Sequence, residues 1–141
     1  MTNRRYNLHE IFDLVSKHEG MRLRPYRDTV GKLTIGYGRN LEDKGISEGE
    51  AREMLYNDIV EAEHELDRDL PWWKDLSPER QKVLVSMVFN LGINRLLGFR
   101  KALAAMQAGD WKRAAAEMLD SKWAGQVGDR ADELAGMMET G

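Results

Sequence analysis

The stretch HEGMRLRPYRDTVGKLTIGYG, residues His18–Gly38, is where the chain changes its hydrophobic period, and its reading decides the fold class. Before it, Leu8, Ile11, Phe12 and Val15 follow the i, i+3, i+4, i+7 spacing of an amphipathic helix. Asn7, with Glu10 three positions on, reads as the N-cap, and Gly20 as the C-terminal stop. Within KLTIGYG the pattern becomes strict alternation: Leu33, Ile35 and Tyr37 against Thr34, Gly36 and Gly38. That is a strand with one apolar face and one nearly bare face. RDTVGK, just before it, carries the Asp and Gly of a hairpin turn. A small β-hairpin or three-stranded sheet is expected over about 22–40.

Downstream the chain is helical. SEGEAREMLYNDIVEAEHELDRDLP reads as one long helix, opened by a capping box of Ser47 and Glu50 and ended by Pro71. Ala51, Met54, Leu55, Ile59, Ala62 and Leu66 give it only a narrow apolar stripe, as expected of a bridge between two lobes. Ser77-Pro78 opens a helix whose run Val83–Leu91 is apolar except for Ser86 and Asn90, the expected buried centre of a second lobe. Two short amphipathic helices follow around Gly109, and a last one over about 130–139 with Asp129 as its cap. The class is α+β: a small β-rich lobe over 21–50, a linking helix over 47–70, and a helical lobe of 71–141 joined by the N-terminal helix 7–19. A substrate cleft is expected between the lobes, opened by a hinge about the linking helix.

Composition narrows the function. With 141 residues, 42% hydrophobic and 32% charged, the chain fits one ordinary soluble domain. A net charge of −3 gives no polyanion-binding signal, so nucleic acid is not an expected partner. The absence of cysteine removes disulfides and thiolate metal sites, and neither a metal nor another cofactor is expected. MTNRRYNLHEIF has two arginines without an apolar run after them, so no secretory signal is read there. No stretch approaches the roughly 20 apolar residues of a membrane span, so stable membrane insertion is not expected.

The candidate chemistry lies in the opening stretch. Glu19 follows Leu8 by eleven residues, three turns plus about 20°, which places it on the apolar stripe at the helix's negative end. Burial and the helix dipole there both favour a protonated carboxyl. Folding the hairpin against this helix would bring Asp28 and Thr34 toward it. A protonated acid beside an ionised carboxylate is the division of labour that glycoside hydrolysis needs. The acid protonates the departing oxygen; the partner stabilises the oxocarbenium-like state, attacks as nucleophile, or helps position water. Thr34 could hold that water, with Gly36 and Gly38 leaving room for a sugar. The plainer alternatives are a helix-end Glu19 and a turn-forming Asp28. Asn90 has its own plain alternative, a core amide with its hydrogen bonds satisfied. Trp111 and Trp123 are expected in the core, with one of Trp72 and Trp73 packed and the other free to meet sugar.

These residues also carry a resemblance. EGMRLRPYRDTVGKLTIGYG is similar to the active-site signature of phage-type lysozymes (endolysins, glycoside hydrolase family 24, like the T-even phage enzyme), E-G-x-R-L-x-x-Y-x-D-T-x-G-x-x-T-I-G-x-G. It continues through ISEGEA, MVFNLG, LLGF, GDWKRAAAEMLDSKW and DRADEL, covering nearly the whole chain. The resemblance implies Glu19 as general acid, Asp28 as partner carboxylate and Thr34 as the residue holding the catalytic water. It further implies that Arg130 pairs with the catalytic glutamate, and that Phe89 and Asn90 line the cleft with Gly38 on the substrate side. The implied activity is muramidase hydrolysis of the β-1,4 bond between N-acetylmuramic acid and N-acetylglucosamine in peptidoglycan glycan strands. Lytic transglycosylation of the same bond, or non-catalytic binding of peptidoglycan, are the rival readings. A monomer is implied, held in the host cytoplasm until a holin admits it to the periplasm and cell wall. Two departures stand out: Arg39 takes a position that is histidine in many relatives, and Ala102 replaces a hydroxyl residue.

Overall fold

The side chain of Asn7 starts the first helix, α1 (Leu8–Glu19), by accepting the N–H groups of His9 and Glu10 at 2.8 and 3.1 Å. Those donors have no intrahelical partner, so a side-chain acceptor there stabilises the first turn by about 1 kcal/mol. Gly20, at φ 71°, ends the helix. The structure, a computed structural model, describes residues 3–141; Met1 and Thr2, part of the stretch read for a leader, lie outside the described residues. The chain divides into two units, one ending at Arg52 and one running from Glu53 to Gly141.

In the first unit a three-stranded antiparallel sheet follows α1: β1 (Arg22–Arg27), β2 (Leu33–Gly36) and β3 (Arg39–Asn40), in that order. Tyr26 pairs with Thr34 and Arg27 with Leu33, but Arg22 pairs with Gly36, so β1 carries surplus residues between Arg22 and Tyr26. Pro25 lies in that irregular stretch, and having no N–H it cannot complete a ladder there. The sheet is where expected, with one reversal. Thr34, expected on an open face, is buried at 3% exposure, whereas Leu33 and Ile35 are half-buried and Tyr37 is exposed. Thr34 sits in the middle strand, paired with Tyr26 on one side and Asn40 on the other. Alternation identifies the residues that share a face; it does not say which face is covered.

The same lesson applies to α1. Its stripe forms, but Leu8, Phe12 and Val15 are exposed, and no α1 residue is fully buried. The ring of Phe12 meets that of Tyr37 edge-on at 5.7 Å.

α2 (Glu48–Asp69) carries the chain from the first unit into the second over roughly 33 Å. Its capping box is complete: Ser47 Oγ accepts the N–H of Glu50 at 3.1 Å, and the Glu50 carboxylate accepts that of Ser47 at 2.9 Å. Only Ala62 and Leu66 are buried along its length, in keeping with the narrow stripe.

Helices build the second unit. A 3-10 turn at Pro71–Asp75 leads to α3 (Pro78–Leu91), α4 (Ile93–Leu97), α5 (Arg100–Ala108), α6 (Trp111–Leu119), α7 (Lys122–Val127) and α8 (Asp129–Thr140). α3 is the expected centre, with Val83, Leu84 and Met87 wholly buried among Leu66, Leu96, Met106, Met118 and Met138. Trp73 and Trp123 are buried as expected, whereas Trp111 is half-buried beneath the Arg80 guanidinium, 3.8 Å from its ring centre. Arg80 also donates to the carbonyls of Met138 and Glu139, satisfying acceptors in the last turn of α8. Asp129 is the first residue of α8 rather than its cap; Gly128 holds the cap position at φ 56° without a side-chain bond. The 3-10 turn, α4 and α7 are too short for a 3.6-residue period to announce them.

Arg39 makes an ion pair of its own, donating to Glu50 at 2.8 Å. That hydrogen bond, with those from Ser47, holds the Glu50 carboxyl down at about 2 from the usual 4.5. A depressed carboxyl stabilises the fold above its unfolded value and stops doing so as pH falls through its folded value. Glu50→Gln should therefore lower the melting temperature at neutral pH, with the gap to wild type closing between pH 4.5 and about 2. Melting curves across that range check it.

Candidate active site

The site builds up from the hairpin turn. Asp28 leaves β1 and turns its carboxylate back on the loop, where Oδ1 accepts the N–H of Val30 at 3.0 Å and that of Lys32 at 2.8 Å. The backbone closes the same loop, Asp28 N–H to Lys32 O at 2.9 Å and Gly31 N–H to Asp28 O at 3.0 Å. Asp28 is thus a turn former, as its plainer reading had it. Only one carboxyl oxygen does this work; Oδ2 has no hydrogen-bond partner among the described residues.

Thr34 lies just beyond. Its hydroxyl donates to the Lys32 carbonyl at 2.8 Å, so toward any further partner it can only accept. Lys32 therefore links the two residues, giving its N–H to Asp28 and its carbonyl to Thr34.

Glu19 ends α1 and is exposed, so the expected desolvation on a buried stripe is not met. Its side chain makes no hydrogen bond or ion pair among the described residues. Gly38, in the turn after β2, approaches it closely: a methyl group built on Gly38 would stand 2.6 Å from Glu19 Oε2 and 3.2 Å from its carboxyl carbon.

In the second unit, Phe89, Asn90 and Arg130 collect around one face of α3. Ser86, Phe89 and Asn90 follow i, i+3, i+4 spacing and so share a face. Asn90 Oδ1 accepts the Trp123 indole N–H at 2.8 Å, and Asn90 remains exposed, as does Phe89 at 48%. The half-buried Arg130 donates to Ser86 Oγ at 3.1 Å and to Ser86 O at 3.4 Å. Ser86 and Trp123 hold the two candidate residues in place, a part that sequence reasoning had not given them. The signal was available for Ser86, one of two polar residues in the Val83–Leu91 run. Ala102 is buried at 2%.

A family model described as phage lysozyme matches residues 16–139. The chain belongs to the phage lysozyme family. A probable T4-type lysozyme of Dictyostelium discoideum is 27% identical over 93% of this chain and 94% of its own length. The endolysin of Acyrthosiphon pisum secondary endosymbiont phage 1 is 28% identical over 89% of this chain and 86% of its own length. The pre-baseplate central spike protein Gp5 of Enterobacteria phage T4 is 30% identical over 92% of this chain, which spans 27% of the spike protein. Membership makes the chain a peptidoglycan-hydrolysing glycosidase of the endolysin type. Among the described residues no group of three or more metal-ligating side chains is assembled, and no helix is long and apolar enough to cross a membrane.

Ser86→Ala removes the hydroxyl that Arg130 reaches and leaves only the longer bond to the carbonyl. The expected cost is about 1 kcal/mol of stability, read from denaturant unfolding of the two proteins.

Proposed function

We propose that this phage lysozyme is an N-acetylmuramidase that hydrolyses the β-1,4 bond between N-acetylmuramic acid and N-acetylglucosamine and lyses the host cell for phage release. The observation that carries the reading is the division within Asp28, whose Oδ1 fastens the turn while Oδ2 stays available for charge stabilisation. Glu19 donates its proton to the departing glycosidic oxygen as the bond to the anomeric carbon breaks. Asp28 faces the positive charge that develops on the sugar ring. Thr34 accepts a hydrogen bond from the incoming water, because its own proton is committed to Lys32. That leaves an oxygen lone pair of the water directed toward the anomeric carbon, and the proton the water loses as that bond forms passes to the Asp28 carboxylate. Phe89 and Asn90 serve as sugar-binding residues, Asn90 with its amide N–H groups free after its oxygen has taken the indole N–H. Arg130, held by Ser86, adds a fixed positive charge beside Phe89 and Asn90 on α3.

The chain acts as a monomer on glycan strands, reaching them from the host cytoplasm through a holin-made lesion. Lysis from cytoplasmic expression is expected only with a co-expressed holin; lysis without holin excludes that route.

Two variants isolate the chemistry. Glu19→Gln keeps the size of the side chain and removes the proton; Asp28→Asn keeps the Oδ1 acceptor that fastens the turn and removes the charge. Both should keep the wild-type fold, Asp28→Asn at a lower melting temperature because its turn bonds lose their charge assistance, while clearing purified peptidoglycan at least about 100-fold more slowly. Reducing sugar ends in the wild-type products support hydrolysis. Anhydro ends would establish the transglycosylase instead, and full turnover by Glu19→Gln would remove the acid assignment.

A further inference from the structure

Gly38 stands in the sequence as one of the glycines that leave room for a sugar. The structure puts something else in that room. The space that a Cβ on residue 38 would fill is held by the Glu19 carboxyl, with Oε2 at 2.6 Å, Cδ at 3.2 Å and Cγ at 3.6 Å from the built position. We propose that Gly38 is the positioning residue of the catalytic acid: its missing side chain is the seat that fixes where the Glu19 carboxyl stands.

Three observations combine. Glu19 is exposed, at the end of a helix, with no hydrogen bond or ion pair among the described residues to restrain it. A glutamate in such a place has several open rotamers, and a general acid needs one. The close approach of the residue 38 backbone supplies the missing constraint, because the carboxyl packs against a Cα that carries no substituent. Gly38 also sits at φ 77°, where an L-residue is strained whatever the space around it. The two demands are separable. Gly45, in the same unit, has φ 68° and nothing within 4 Å of its built Cβ, so alanine there meets the backbone demand alone.

The clash at residue 38 would be relieved cheaply, since the atom in the way is the far end of a flexible exposed side chain. Stability therefore reports mainly the backbone strain, which Gly38→Ala and Gly45→Ala share. Turnover reports the displaced carboxyl, which belongs to Gly38→Ala alone. The role rests on Glu19 being the acid, so the test includes a readout that does not depend on activity.

The experiment compares wild type, Gly38→Ala, Gly45→Ala, Glu19→Asp and the Glu19→Asp/Gly38→Ala double variant, each confirmed folded by circular dichroism. Gly38→Ala is expected to lower kcat by about 10- to 100-fold with KM nearly unchanged, and Gly45→Ala to leave both close to wild type. The double variant should lose much less than the product of the two single losses, because the shorter aspartate no longer meets the new methyl group. In parallel, the carboxyl 13C resonance of Glu19, assigned by its absence from Glu19→Gln, should move in Gly38→Ala and stay in place in Gly45→Ala. Three results overturn the proposal: a kcat for Gly38→Ala within about two-fold of wild type, a loss confined to KM, or losses that multiply. If wild type fails to cleave peptidoglycan, the muramidase reading fails and the resonance decides alone. An unmoved resonance then overturns the Gly38–Glu19 contact, and a displaced one supports it.

Discussion

The two backbone N–H groups that converge on Asp28 Oδ1 set the register on which the rest of the small sheet depends. Strand side chains alternate with a period of two, so a turn one residue longer or shorter would move every β2 side chain to the opposite face. Thr34 would then leave the interior, and the following turn would no longer bring Gly38 to the end of α1. The loop is short and its donors belong to Val30 and Lys32, neither of which has a conformational preference strong enough to fix the turn by itself. A carboxylate oxygen accepting both is a charge-assisted restraint worth about 1.5–3 kcal/mol per bond, enough to choose one register.

A structural carboxylate and a chemical one are usually weighed as rivals. In the proposed mechanism they coincide at Asp28, because the two oxygens are differently occupied. The bonds on Oδ1 hold the carboxyl plane still, and a fixed charge stabilises a developing cation better than one that must first be oriented. Lys32 carries the same restraint onward through its carbonyl to the Thr34 hydroxyl. In the proposed mechanism the Thr34 hydroxyl, its proton committed, offers the water acceptor capacity alone.

Much of this was legible in the sequence, and the pattern of what was not is physical. Asn7, Gly20, Ser47, Glu50 and Ser77 act within three or four residues of themselves, so their roles as caps could be read directly. The α3 run could be read because a stretch so largely apolar has only one place to go. Thr34 could not, since alternation is symmetric and which face is covered depends on a partner strand that the alternation does not contain. Glu19 shows the same limit: helical phase aligned it correctly with Leu8 and Val15, but both are exposed and no residue of that stripe is fully buried. Asp129 shows a different one, a good capping residue displaced by one position because Gly128, at φ 56°, already supplies the backbone geometry of the cap. The close approach of Gly38 to Glu19 joins residues 19 apart in sequence, and no local pattern encodes it.

The polar residues of α3 extend this argument to the second unit. Ser86 and Asn90 interrupt the otherwise apolar Val83–Leu91 run; Ser86 is half-buried, where an unsatisfied polar group costs about 1–3 kcal/mol, and Asn90 is exposed. Both bond side chains from later in the chain, Arg130 in α8 and Trp123 in α7. The exchange runs both ways. α3 lies at the centre of the core and cannot shift without opening it, so whatever bonds to its polar stripe inherits its rigidity. Arg130 on a surface helix would sweep a wide volume on its own; bonded to Ser86 it is held to the most constrained element of the unit. A polar residue kept inside an apolar run is therefore a mark of attachment, and the group attached is the one to examine for function.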